Sequence, residues 1–157
     1  MPGLDEGKFT APTGRFAVVA ARYNSAIVDA LLRGALDALR HQGVGEDRVD
    51  VVKVPGSFEL PLTAQALAKT GQYAAVVCLG CVIRGDTDHY EYVCRAAADG
   101  ILQAGLSTGV PVIFGVLTCE TMDQAVDRAG GNAGNKGAEA AATAMEMAAL
   151  LSRVKSA

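Results

Sequence analysis

One stretch constrains the fold more than any other: Ala74 to Ile83 is almost wholly apolar or small, and it stops abruptly at Arg84-Gly85-Asp86-Thr87-Asp88-His89. A short unbroken apolar run of this kind suits a strand buried on both faces of a parallel sheet. An amphipathic helical pattern follows at once. In open α/β sheets ligands bind where strands end and helices begin, so one of only two histidines lies where catalysis is expected.

Three further strand-then-helix units flank this one, with no internal linker or low-complexity break. Phe16 to Ala21 reads as a strand, followed by Arg22-Tyr23-Asn24-Ser25. There Asn24 or Ser25 would cap a helix with Ile27, Leu31, Ala35 and Leu39 on one stripe, ending at Gly43. Val49 to Val54 precedes Pro55-Gly56-Ser57-Phe58-Glu59-Leu60-Pro61; Pro61 fits the first turn of a helix to about Lys69, with Gly71 as its stop. The helix after the central unit is expected from His89 to about Ala104. A fourth strand, Val110 to Leu117, leads to Thr121-Met122-Asp123-Gln124, a capping-box pattern, and a short helix to Ala129. After the glycine-rich bend from Gly130 to Asn135, an alanine-rich helix runs from about Gly137 to Arg153.

Strands alternating with helices imply an α/β fold: a four-stranded parallel sheet covered on both faces, as a three-layer αβα sandwich with right-handed crossovers. The last helix carries Ala, Met and Leu on more than one side, so it is expected to meet another subunit as well as its own sheet. Residues 1–157 read as one domain, in which 1–13 form an N-terminal arm. Lys8-Phe9-Thr10 within it is long enough for one short strand added to a neighbour's sheet edge; a frayed terminus is the equal alternative.

With 157 residues, half of them apolar, the chain can build an ordinary core without staples. A net charge of −3 and the absence of a Lys/Arg cluster argue against nucleic acid. No run approaches the ~18 apolar residues of a membrane span. Met1 to Gly14 carries Asp5, Glu6 and two prolines and lacks an apolar core, so a cytoplasmic location is expected. Cys78 and Cys81 form a C-x-x-C inside the apolar strand, whose alternation points them to opposite faces. Buried structural thiols are therefore favoured over a redox or metal pair, and no metal is expected.

The residues just past the strands are the candidates for chemistry. They are Tyr23 and Asn24; Ser57, Phe58 and Glu59; Arg84, Asp86, Thr87, Asp88 and His89; and Thr118, Glu120 and Arg128. Aromatics make up only 5% of the chain, yet Tyr23, Phe58 and Phe114 fall at or near this rim. Such rings suit a flat ligand, each stacked pair being worth roughly 0.5–1.5 kcal/mol beyond burial. Gly85-Asp86-Thr87 leads into a helix N-terminus, which attracts anions, phosphate first; a plain helix cap is the alternative. Neither a G-x-x-x-x-G-K-[ST] nor a G-x-G-x-x-G pattern is present, so nucleoside triphosphates and dinucleotides are not favoured. His89 is the acid/base candidate, set against a simple surface histidine in a first helical turn. His41, near a helix end, needs only the dipole explanation.

Several segments together resemble the lumazine synthases: Val54-Pro55-Gly56-Ser57-Phe58-Glu59-Leu60-Pro61, Gly80-Cys81-Val82-Ile83-Arg84-Gly85-Asp86-Thr87-Asp88-His89-Tyr90-Glu91-Tyr92-Val93, Phe114-Gly115-Val116-Leu117-Thr118 and Asp127-Arg128-Ala129-Gly130. The likeness runs from about Phe16 onward. It implies a flavodoxin-like fold and an enzyme that condenses 5-amino-6-(D-ribitylamino)uracil with 3,4-dihydroxy-2-butanone 4-phosphate, without metal or organic cofactor. On that resemblance Tyr23 and Phe58 would flank the pyrimidine, with Phe114 beside it. Ser57 and Glu59 would hold the ribityl chain, and Cys81, Val82 and Ile83 would read the uracil edge. Asp86, Thr87 and Arg128 would meet the phosphate, and His89 would shuttle protons. It also implies pentamers, many of them packed as shells of sixty, with Phe114 and Arg128 supplied by a neighbouring subunit. The alternatives are a same-fold enzyme that dismutates lumazine to riboflavin, and a non-catalytic flavin-binding shell. Tyr23, where the family often has Phe or Trp, and Asp86, a carboxylate beside the proposed phosphate, depart from expectation.

Overall fold

The computed structural model describes residues 12–156. Four strands, β1 (Phe16–Ala21), β2 (Val49–Val54), β3 (Ala75–Ile83) and β4 (Val112–Cys119), form one parallel sheet in the order β2-β1-β3-β4. The expected Lys8–Thr10 strand falls outside the described residues. The α/β sandwich itself is present as expected, and no helix among the described residues is long and apolar enough to cross a membrane.

Strand alternation divides the core in two. Phe16, Val18 and Ala20 of β1, with Val77 and Leu79 of β3, face a layer made by α1 (Ser25–His41), α4 (Met122–Arg128) and α5 (Lys136–Ser156). Ala17 and Val19, with Val76 and Cys78, face α2 (Leu60–Lys69) and α3 (His89–Thr108). Every residue of β1 is buried, because helices cover both of its sides. α1 buries the predicted stripe Ile27, Leu31, Ala35 and Leu39. α5 lies so close to α1 that a Cβ on Gly137 would overlap the Leu31 backbone.

Several boundaries differ from the sequence reading. α3 passes through Gly105 and ends only at Gly109, whose left-handed φ of 72° turns the chain. Thr108 Oγ1 donates back to the Ala104 carbonyl (2.6 Å), holding the last turn. β4 consequently starts at Val112 rather than Val110. The glycine-rich bend is a small antiparallel hairpin, β5 (Ala129–Gly131) with β6 (Gly134–Asn135). Asn135 closes it: its amide donates to the Ala30 carbonyl (3.1 Å) and its oxygen accepts from the Ala138 N–H (3.0 Å), starting α5.

β1 lies beside β3, and the helices that follow these two strands, α1 and α3, pack on opposite faces of the sheet. The crevice beyond the C-terminal ends of β1 and β3 is therefore the switch point where such sheets bind ligands. At the opposite ends of the strands Asp50 accepts from Arg15 (2.8 Å) and from the Tyr73 phenol (2.7 Å), tying β1, β2 and the approach to β3 together.

Candidate active site

Past β1 the chain keeps pairing with β2: Arg22 N–H donates to the Val54 carbonyl (2.8 Å) and Tyr23 N–H to that of Pro55 (3.0 Å). Tyr23 is held outward, 75% exposed. Of the two expected cap residues, Asn24 rather than Ser25 holds the N-cap position of α1, but its side chain makes no cap bond. It takes a left-handed conformation (φ 58°, ψ 48°), and its amide donates to the Cys81 carbonyl at 2.8 Å.

Past β2, Ser57–Glu59 form one 3₁₀ turn before α2. Glu59 Oε1 accepts from the Gly56 N–H (2.9 Å), which fixes the turn and leaves Phe58 exposed. Ser57 is a buried polar residue of the core because Gly80 of β3 leaves room for it; a Cβ on Gly80 would strike the Ser57 hydroxyl and come within 3.2 Å of Leu60 Cδ1.

Past β3 the ladder with β4 continues for one bond, Arg84 N–H to the Cys119 carbonyl (2.9 Å). Arg84 then clasps the segment from several sides: Nε lies 2.9 Å from Glu120, Nη1 3.6 Å from Glu91, and the guanidinium stands 4.5 Å from the Tyr90 ring centroid. Gly85 to Asp88 emerge exposed, and α3 opens at His89, whose N–H donates to Thr87 Oγ1 (3.4 Å).

These three loops enclose a cleft of about 830 Å³. Of the predicted site residues, Tyr23, Ser57, Phe58, Glu59, Cys81, Val82, Ile83, Thr87 and His89 line it, joined by Asn24, Gly85, Tyr90 and Val93. Three do not. Asp86 is exposed and absent from the lining. Phe114 sits mid-strand rather than at the rim, because β4 carries on to Cys119. It lines a separate hollow of about 510 Å³ along β4, an edge strand, together with Arg128, Lys136, Glu139 and Thr143. Within that hollow Arg128 Nη1 donates to the Gln124 carbonyl (3.0 Å).

Sequence reasoning placed Asn24 at the rim and among the cap candidates but missed its bond to Cys81, and it missed Tyr90 and Lys136. The first acts on a strand remote in sequence. Tyr90 was hidden beside His89; its half-buried ring lines the cleft with the Arg84 guanidinium 4.5 Å from its centroid. Lys136 simply opens a helix.

The two thiols of the C-x-x-C point to opposite cores, as alternation required. Burial pushes Cys78 and Cys81 each up to about 12, so neither is a thiolate at neutral pH. Among the described residues no cluster of His, Cys, Asp and Glu could hold a metal.

The cleft thus offers two exposed aromatic faces, hydroxyl and carboxylate groups, and the N-terminus of a 20-residue helix beside an imidazole. A flat heterocycle bearing a polyol and an anionic co-substrate match those features in kind.

The family model for 6,7-dimethyl-8-ribityllumazine synthase matches residues 13–152. A protein of that name from Desulfatibacillum aliphaticivorans is 49% identical over 155 residues, covering 99% of this chain and 100% of the relative. The chloroplastic protein of that name from Spinacia oleracea is 58% identical over 146 residues, 92% of this chain and 65% of the relative. Its Arabidopsis thaliana counterpart is 55% identical over 136 residues, 87% and 60% respectively. The match therefore spans less than two thirds of each plant relative's length.

Proposed function

Since the chain belongs to the 6,7-dimethyl-8-ribityllumazine synthase family, we propose that it condenses 5-amino-6-(D-ribitylamino)uracil with 3,4-dihydroxy-2-butanone 4-phosphate to 6,7-dimethyl-8-(D-ribityl)lumazine, releasing phosphate and water. The observation that carries the reading is the cleft in which Tyr23 and Phe58 stand together with the α3 N-terminus, Thr87 and His89.

The pyrimidine stacks on Tyr23 and Phe58, its edge read by the main chain of Cys81, Val82 and Ile83. The ribityl chain meets Ser57 and the carboxylate oxygen of Glu59 not taken by Gly56. The phosphate of the second substrate sits over Gly85 and Thr87, where free N–H groups and the helix dipole favour an anion. Asp86 contributes through its N–H alone, its carboxylate turned to solvent. The amine adds to the ketone and one water leaves to give an imine; phosphate is eliminated, the resulting enol becomes a carbonyl, and the ribityl-bearing nitrogen closes the ring on that carbonyl with loss of a second water. His89 moves protons on and off oxygen and nitrogen along this path. Holding the two reactants together supplies much of the rate, since one bimolecular encounter becomes a positioned reaction.

Phe114 and Arg128 complete the site from an adjacent copy, the ring beside the pyrimidine and the guanidinium on the departing phosphate. This is supported by their lying in an open hollow on an edge strand, away from their own chain's cleft. Copies are read as pentamers, and the short Gly130-to-Asn135 hairpin favours sixty-subunit shells over free pentamers. The test is direct: purified protein with both substrates generates the absorbance and fluorescence of the lumazine. An inert mixture, with the native particle mass intact, overturns the reading.

A further inference from the structure

We propose that Asn24 is a positioning residue of this site: it latches the Tyr23 loop to the end of β3 and so sets the seat and the edge that a flat heterocycle meets. The inference rests on the function proposed above and names a residue through which that site is assembled.

Three features of Asn24 run against its local interest. Among the described residues it is the one non-glycine with a positive φ. Asparagine tolerates that region better than most residues, yet the conformation is still strained. It occupies the N-cap position of α1 but its side chain makes no cap bond there, giving up about 1 kcal/mol of helix stabilisation. Its carbonyl nevertheless starts the helix, accepting from Ile27 and Val28 N–H (both 3.1 Å). The side chain that would ordinarily cap is turned away, to the Cys81 carbonyl.

The sheet explains the target. Pairing between β1 and β3 ends at Ala20 with Leu79, so β1 is no longer alongside when β3 reaches Cys81. The Asn24 amide takes the place of the next ladder donor. It does so at the switch point, with Asn24, Tyr23 and Cys81 all on the cleft wall. Tyr23 N–H is meanwhile tied to Pro55 on the other side. The turn is therefore pinned to β2 and to β3, one anchor on each flank of Tyr23. Without the Asn24 anchor, Tyr23 loses its fixed seat and the Cys81 carbonyl loses its fixed direction.

Two variants test this. Asn24→Gly accepts the same φ without strain and deletes only the latch. The KM for the pyrimidine is expected to rise about tenfold, the size of effect one deleted hydrogen bond commonly has, while the KM for the butanone phosphate stays within about twofold. Melting temperature should change by no more than a few degrees, and exchange of the Arg22 and Tyr23 amides should quicken. Asn24→Asp keeps size and conformational tolerance but turns an acceptor toward a carbonyl, so its pyrimidine KM should rise at least as much. A merely structural role would instead move both KM values and the melting temperature together. An unchanged pyrimidine KM in Asn24→Gly, or an equal rise for both substrates, overturns the inference. If the unaltered protein turned over nothing, the proposed reaction would fall, and amide exchange alone would judge the latch: unchanged protection at Arg22 and Tyr23 would overturn it.

Discussion

Gly85→Ala should raise stability and lower activity at once, and the two directions come from the same empty space. No heavy atom outside Gly85 and its two chain neighbours lies within 4 Å of where the new methyl would stand, and the Gly85 φ is outside the left-handed range that would strain alanine. The folded state therefore accepts the methyl freely, while the unfolded chain loses conformations. That stabilises by about 0.4–1 kcal/mol, or roughly 1–4 °C in a chain of this size. The open space is also where the proposed phosphate meets the backbone. A methyl there weakens a hydrogen bond to a charged group, worth about 1.5–3 kcal/mol, so the KM for the butanone phosphate should rise on the order of tenfold to a hundredfold. The pyrimidine KM should hold. Melting must be compared at one protein concentration, because subunit association shifts the midpoint. An unchanged phosphate-substrate KM in a stabilised variant would show that the anion does not sit over Gly85. A melting temperature several degrees lower would refute the steric reasoning itself.

Gly137→Ala should behave oppositely. Helix propensity favours alanine by about 1 kcal/mol, but the methyl would lie 2.6 Å from the Leu31 carbonyl carbon and 2.9 Å from its Cα, where backbone cannot yield cheaply. A melting temperature about 5 °C or more lower is expected, and an equal or higher one contradicts the close α1–α5 contact. His89→Ala should slow condensation by about tenfold to a hundredfold, with calorimetric affinity for the pyrimidine largely kept; an unaltered rate removes His89 from proton transfer. The buried thiols give a pH prediction. Burial holds the folded pKa of Cys78 at about 12, above the ordinary thiol value of 9.0, so its stabilising contribution is complete below pH 9 and is lost as pH rises toward 12. Denaturation between pH 8 and 11 should show falling stability, with a shallower slope in Cys78→Ala; identical slopes would contradict its burial as a neutral thiol.

Much of this was legible because the informative contacts are local or periodic. β1 and β3 stand out as unbroken apolar runs since both faces of each are covered. Pro61 and Gly71 punctuate α2 through backbone constraints carried by single residues. The same holds for the site: the loops after β1, β2 and β3 converge because topology brings strand ends together, so the residues immediately beyond each strand make up most of the cleft. The features that escaped the sequence depend on distance. Asn24 was legible as a rim residue and a cap candidate, but its bond to Cys81 was not, because that partner is 57 residues away. Phe114 read as lying inside the fourth strand yet near the rim; β4 runs two residues past the expected Leu117 end, to Cys119, which leaves its ring farther from the cleft. The Ala129–Asn135 hairpin has no hydrophobic period at all, being held by glycine geometry and one asparagine. Arg84 read as a loop cation, and only three dimensions show it occupied by Glu120, Glu91 and Tyr90.

The separation of the Phe114–Arg128 hollow from the Tyr23–His89 cleft has a genetic corollary. On the proposed two-copy site, a chain disabled at His89 and a chain disabled at Arg128 carry their lesions in different halves of each reaction chamber. Denatured together and reassembled in equal amounts, such chains would recreate an unblemished chamber at about one contact in four, by random pairing around a ring. Two slowed preparations would thereby yield a faster one.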